Sequence, residues 1–126
     1  MVATRDFYEA IGYLTYAICN ADNDVEPDEL KNLGRIMLNA FGEHEMKTRG
    51  MRAYARFEML ADNNTPAENA YLQSIELFKD SKGELKEFRT LILRVLDSIS
   101  LADNDREQTE IVFIQRFKVD SEAIVA

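Results

Sequence analysis

The sequence predicts an all-α fold, a compact bundle of about six to seven helices. Apolar residues recur at steps of three and four along most of the chain, which is the spacing of one helical face. No segment alternates apolar and polar residues as a half-buried strand would. Proline occurs only twice, and each time it stands where a new helix is expected to begin.

The first two predicted helices are joined by a tight acidic turn at residues 21–26. The apolar spacing of the first helix continues to about Asn20. Asn23 suits the left-handed conformation that ends a helix, and Pro27 suits the first position of the next one. The second helix should then continue to Gly42, because glycine commonly follows the last residue of a helix.

The middle of the chain predicts a third helix over about 46–60 and a fourth helix that starts near Pro66. Thr65 and Glu68 have the spacing of a capping box, in which each side chain bonds to the backbone of the other. Residues 61–64 read Ala-Asp-Asn-Asn and lack a second carboxylate. We interpret them as the end of the third helix and not as a metal site.

The fourth helix should end before Gly83. The fifth is the most hydrophobic element, with a wide apolar face, so we expect it to be the central helix. A sixth helix should carry Ile111 and Phe117, and Asp120 or Ser121 is expected to cap a short terminal turn. Short connections make helical neighbours largely antiparallel.

The length and composition of the chain restrict the classes of function that it can have. A chain of 126 residues fits one domain over 1–126 and buries a sizeable core without disulfides, which its single cysteine could not form internally. Fifteen basic and twenty-three acidic residues give a net charge of -8. This charge disfavours nucleic-acid binding and fits divalent cations or basic partners. We expect a soluble cytoplasmic protein, since no segment has the pattern of a membrane span or a signal peptide.

The chain contains an internal repeat with an offset of 81 residues, from residue 21 to residue 102. Residues 21–24 read Ala-Asp-Asn-Asp and recur as 102–105, and Glu29 recurs as Glu110. The flanking apolar positions coincide as well: Ile11, Leu14, Ile18, Leu33 and Ile36 correspond to Ile92, Val95, Ile99, Ile114 and Phe117. The repeat predicts two helix-turn-helix units related by a pseudo-twofold axis.

The repeated carboxylates are candidate metal ligands: Asp22, Asp24, Glu29, Asp103, Asp105 and Glu110. Clustered carboxylates and turn carbonyls are the hard oxygen ligands that calcium and magnesium take. A second interpretation needs no metal, because carboxylates in the first turn of a helix gain ~0.3 to 1 kcal/mol from the helix dipole. The loop is not an EF-hand, since Pro27 and Leu33 stand where that motif needs glycine and glutamate.

Residues 21–29 resemble the Ala-Asp-Gly-x-Val-x-Pro-Glu-Glu signature of the tellurite-resistance TerB-like family, with Asn23 in place of glycine and Asp28 in place of glutamate. Residues 102–110 keep the Ala-Asp pair and the final glutamate but lose the valine and the proline. The resemblance implies a TerB-like helical bundle that is associated with tellurite resistance and stress response. It also implies an acidic divalent-cation site, with calcium as the leading candidate and magnesium second. The ligands that the family implies are Asp22 and Glu29 from one copy and Asp103 and Glu110 from the other.

The chain has few residues of the types that commonly act in catalysis, so we expect no enzymatic activity. The chain has one histidine, His44, one cysteine, Cys19, and no glycine-rich phosphate loop. The alternative function is a metal-independent protein interaction module, in which the acids only cap helices and an unknown partner protein binds an aromatic or basic face. A tyrosine of the first helix would contribute to such a face. A basic stripe on the third helix would also contribute, or be merely solvated: Lys47, Arg49, Arg52 and Arg56.

Overall fold

The computed structural model describes residues 5–23, 25–41, 50–102 and 108–126. Within these ranges the chain forms six helices and no strand, which confirms the all-α prediction. The helices are α1 (Arg5–Cys19), α2 (Pro27–Phe41), α3 (Gly50–Asp62), α4 (Ala67–Asp80), α5 (Lys82–Ala102) and α6 (Gln108–Val125). All six contribute side chains to one hydrophobic core. None of these described helices is long and apolar enough to cross a membrane.

The central helix of the bundle is α1, so the prediction that the fifth helix is central was wrong. Eleven of the fifteen residues of α1 are buried, and the helix packs against α2, α3, α4 and α6. A helix that is apolar nearly all round needs neighbours on every side, whereas α5 keeps a charged face towards water. Tyr8 and Tyr16 are buried and Tyr13 is half-buried, so none of the three is the exposed tyrosine that we expected.

Two helical glycines allow α3 to approach α1 and α2 closely. A Cβ atom at Gly12 would lie 2.6 Å from the carbonyl oxygen of Ala53, and a Cβ atom at Gly34 would overlap the ring of Phe57. Glycine costs a helix about 1 kcal/mol relative to alanine, and close packing is the usual compensation. As a result α3 lies tightly against both helices of the first repeat copy.

The start of α4 does not have the predicted capping box. Its N-cap residue is Pro66, and no side chain at that position bonds to the helix. Asn23 Oδ1 accepts a hydrogen bond of 2.9 Å from the backbone N–H of Ala67. Glu68 pairs with an arginine of α6. The prediction failed because tertiary partners replace the local bonds on which a capping box depends.

The predicted terminal turn after the sixth helix was also wrong, because α6 continues without a break to Val125. Ser121 is buried, and its Oγ accepts a hydrogen bond of 2.8 Å from Arg89 Nε of α5. Asp120 Oδ2 accepts one of 2.6 Å from the hydroxyl of Tyr71 of α4. Both side chains are therefore bonded to neighbouring helices, and neither caps a new turn.

Candidate functional site

The six candidate ligands divide into two groups. Asp24, Asp103 and Asp105 lie outside the described residues. Asp22 is exposed in the turn after α1, Glu29 is exposed in the first turn of α2, and Glu110 is half-buried in the first turn of α6. Among the residues that the structure describes, no three Asp, Glu, His or Cys side chains converge on a position suited to a metal ion. The complete ligand set therefore stays a prediction.

The second helices of the two repeat copies begin at equivalent positions. α2 begins at Pro27 and α6 begins at Gln108, which is the residue 81 positions later. Glu29 and Glu110 are consequently both the third residue of their helix. Free N–H groups and the positive end of the helix dipole favour a carboxylate at that position.

Glu110 lies close enough to α1 to act on the last residue of that helix. Burial raises the pKa of the Cys19 thiol to about 12, and the negative charge of Glu110 contributes to the rise. An interaction between charges is strong only over a short distance, so the first turn of α6 lies near the end of α1. Asp22 follows Cys19 by three residues. The glutamate of one copy and the aspartate of the other are therefore both near the same end of α1.

Hydrogen bonds connect the end of α1 and the acidic turn after it to the turn between α3 and α4. The Tyr16 hydroxyl donates a hydrogen bond of 2.6 Å to the carbonyl oxygen of Thr65, and Asn20 Nδ2 donates one of 3.2 Å to the Tyr16 hydroxyl. Burial raises the pKa of Tyr16, so its hydroxyl keeps its proton. With the bond from Ala67 to Asn23, these contacts hold the backbone on which Asp22 stands.

Two asparagines adopt the left-handed conformation, Asn23 with a φ of 59° and Asn64 with a φ of 51°. Asparagine tolerates this conformation better than most residues. The result confirms that Asn23 follows the end of the first helix. It also agrees with the interpretation of 61–64 as a helix end, since the backbone N–H of Thr65 bonds to the carbonyl oxygen of Leu60 at 3.1 Å, as after a helix C-terminus.

A groove of about 320 Å³ separates these two turns. Its lining residues include Tyr16, Asn20, Asn23, Asn64 and Pro66. Of the candidate carboxylates that the structure describes, none is among the lining residues. Amide oxygens and a neutral phenol are weaker ligands for a divalent cation than carboxylates, so these described lining residues do not by themselves form a calcium site.

The basic stripe of α3 is only partly available to a partner. Arg56 Nη2 lies 3.0 Å from Glu9 Oε1, and the guanidinium group lies over the ring of Tyr13 at 5.5 Å from its centroid. Arg52 is exposed. The remaining members of the stripe, Lys47 and Arg49, lie outside the described residues, as does His44.

A polar cluster between α4 and α6 was not predicted from the sequence. Arg116 donates two hydrogen bonds to Glu68, of 2.7 and 2.8 Å, and its guanidinium group lies 4.3 Å from the ring centroid of Tyr71. The hydrogen bond from Arg116 lowers the pKa of Glu68. Arg116 and Glu68 are 48 residues apart, and neither has a spacing that reveals its partner. Only the packing of α6 beside α4 brings them together.

Comparisons with known proteins identify no relative. No protein-family model, no curated protein and no solved structure matches the chain. The resemblance to the TerB-like family therefore depends on the two acidic segments and the repeat, and it stays a prediction.

Proposed function

We propose that the chain is a non-enzymatic, cytoplasmic TerB-like domain of the stress-response type that binds a divalent cation between its two acidic turns. Calcium is the first candidate and magnesium the second. The proposed ligands are Asp22, Asp24, Glu29, Asp103, Asp105 and Glu110. The observation that carries the proposal is that the two repeat copies pack on each other, since α1 contacts α6 and α2 contacts α5. Because the net charge is -8, a cation is a more favourable ligand than a nucleic acid.

The helix contacts support a site shared by the two copies. A pseudo-twofold axis would exchange α1 with α5 and α2 with α6. The contact of α1 with α6 then has the contact of α5 with α2 as its counterpart, and both pairs of helices are in contact. By the same relation, Glu29 would lie near the end of α5 as Glu110 lies near the end of α1. Carboxylates that lie near one another repel, and a cation between them would offset this repulsion.

The fixed shape of the first acidic turn is a second support. Asn23 separates Asp22 from Asp24, and its own side chain accepts a hydrogen bond from the Ala67 amide. This bond restricts the described part of the turn, residues 20–23, before any ligand binds. A site that is already ordered loses less conformational entropy on binding than a flexible one does.

A metal-independent interaction module is the second candidate. In its favour, Glu29 and Glu110 occupy first-turn positions, where the helix dipole stabilises a carboxylate without a metal. The basic stripe of α3 has less support as a partner-binding face, because Arg56 is already bonded to Glu9. A response to calcium distinguishes the two candidates.

The test is a calorimetric titration of chelator-treated protein with calcium and then magnesium. We expect saturable calcium binding, and at free calcium of about 100 times the Kd an increase of about 2.7 kcal/mol in the free energy of unfolding. The variant Asp22→Asn with Asp103→Asn should lose both effects.

Asp62→Asn is the matched control. Asp62 also belongs to an Ala-Asp-Asn segment and pairs with Lys31 at 2.6 Å, but it is not a proposed ligand. This variant should therefore bind calcium as the wild type does. Absence of heat with both metals, or equal loss of binding in the control, would leave the acids as helix caps and favour the interaction module.

A further inference from the structure

A cavity of about 460 Å³ is lined by the second half of α4, the first residue of α5 and the last turns of α6. The described lining residues are Ile75, Lys79, Lys82, Asp120, Ala123 and Ile124. None of the candidate cation ligands that the structure describes is among them. Sites for small molecules commonly have volumes of about 300 to 1,000 Å³, so this cavity is large enough for a small organic ligand.

One half of the cavity lining is apolar. Ile75 is a buried residue of the hydrophobic core, and the partly buried Ile124 packs against that core. Ala123 is exposed, and its small side chain leaves the space beside these two residues open. Transfer of apolar ligand surface from water to such a wall is favourable. This half of the cavity therefore suits a hydrocarbon group.

Two lysines add positive charge to the lining. Lys79 Nζ lies 3.4 Å from Glu76 Oε1, and more than half of each side chain is exposed. An exposed ion pair of this kind contributes little free energy, so Lys79 can exchange Glu76 for a ligand. Lys82 is exposed and forms no ion pair with any residue in the described part of the chain. Both ammonium groups are therefore available to an anion.

Asp120 is the acidic residue among the described lining residues, and its charge is already partly compensated. Its Oδ2 atom accepts a hydrogen bond of 2.6 Å from the hydroxyl of Tyr71 and lies 3.9 Å from Arg116 Nε. Two lysines and one aspartate give the six described lining residues a net charge of +1, in a chain whose net charge is -8. A local charge of the opposite sign to that of the whole chain favours a monoanion at this position.

We propose that this cavity binds a small amphipathic monoanion, namely a carboxylate with an unbranched hydrocarbon chain. The carboxylate pairs with Lys79 and Lys82, and the chain lies against Ile75 and Ile124. Lysine suits this role because its methylene groups extend an apolar wall while its ammonium group stays in water. The inference is independent of cation binding. For a chain of about ten carbons, the usual affinity per ligand atom gives a Kd on the order of 1 mM.

A titration of the full chain with decanoate, followed by two-dimensional ¹⁵N–¹H NMR in a buffer that contains a chelator, tests the proposal. The amide signals of residues 75–82 and 120–124 should shift with one Kd on the order of 1 mM, and those of 21–23 should stay in place. Acetate has the charge without the chain, and decane-1,2-diol has the chain without the charge. Each should bind at least about fivefold more weakly than decanoate. Absence of shifts in the two segments, or equal binding of either control compound, overturns the proposal.

Two matched variants test the role of the lysines. Lys79→Gln combined with Lys82→Gln should weaken decanoate binding about fivefold to tenfold, because both charge contacts are lost. Lys86→Gln combined with Arg94→Gln is the control, since it also removes two positive charges from exposed positions, both on α5 and outside the described lining. This control should bind decanoate within about twofold of the wild type. Unchanged binding in the first variant, or an equal loss in the control, overturns the proposal.

Discussion

In α2, Leu38 is buried and Ile36 is exposed, whereas in α6 the equivalent residues show the reverse: Val119 is exposed and Phe117 is buried. The first helices of the two copies agree better, since Ile11 and Leu14 are buried as their equivalents Ile92 and Val95 are. The two copies thus share the starts of their second helices and these two core positions of their first helices. They differ in which face the second helix buries.

The difference follows from the neighbours of each second helix. α2 packs closely against α3 at Gly34, whereas α6 packs against α4 through the contact of Phe117 with Phe78. The repeat in sequence therefore coincides with equivalent starts of α2 and α6, whereas the neighbouring helices decide which faces of these two helices are covered. The proposed cation site includes Glu29 and Glu110, which occupy equivalent positions in the first turns of α2 and α6.

The largest expected difference between the copies concerns Phe117 and Ile36. Phe117→Ala should lower the free energy of unfolding by about 3 to 5 kcal/mol, because it leaves a cavity beside Phe78. Ile36→Ala should change it by less than about 0.5 kcal/mol, since that side chain is exposed. Chemical denaturation of both variants measures the contrast. Equal losses would show that the two second helices bury the same face after all.

A second contrast exchanges residues between the copies. Gly34 corresponds to Gln115, and Gly34→Gln should cost about 3 kcal/mol or more, because the new side chain overlaps the Phe57 ring. The reverse exchange, Gln115→Gly, should cost only about 1 kcal/mol, which is the helix propensity of glycine. Thermal unfolding of the two variants is the measurement. If Gly34→Gln unfolds like the wild type, close packing of α3 on α2 is not required.

A third prediction concerns the bond that holds the first acidic turn. Asn23→Ala should cost about 1 to 2 kcal/mol, because it removes the acceptor for the Ala67 amide and places alanine at a positive φ. Asn23→Asp keeps an acceptor and should cost less than half of that amount. A cost for Asn23→Asp equal to that for Asn23→Ala would show that the hydrogen bond contributes nothing.

The smallest effect is the pH dependence of the Glu68–Arg116 pair. The pKa of Glu68 is lowered in the folded protein by its bond to Arg116, so the pair stabilises the protein above the unfolded-state pKa of about 4.3. This contribution disappears as the pH falls through the lowered pKa. Because both side chains are well exposed, we expect only about 0.5 kcal/mol. The stability difference between the wild type and Glu68→Gln, followed from pH 7 to about pH 3, measures it. A difference that grows on acidification would contradict the sign.

The sequence was sufficient to predict where most helices lie. It was not sufficient to predict which side chains of different helices bond to one another. Pro27, Asn23 and the apolar spacing locate the first two helices because these signals act within a few residues. The capping role of Thr65 and the terminal turn at Ser121 were wrong, because Asn23 and Arg89 bond to those regions from distant parts of the chain. The acidic segments were visible as a repeat. That Glu110 lies near Cys19 at the end of α1 became evident only from the fold.

The central claim is that both acidic turns bind one cation, and a calcium titration followed by two-dimensional ¹⁵N–¹H NMR tests it most directly. We predict that amide signals from 21–29 and from 102–110 shift together with one midpoint, and that Asp22→Asn abolishes both sets of shifts. Because each turn supplies ligands to the same ion, the loss must extend to the second turn. Two different midpoints, persistence of the second set of shifts in Asp22→Asn, or no shifts at all would contradict the account.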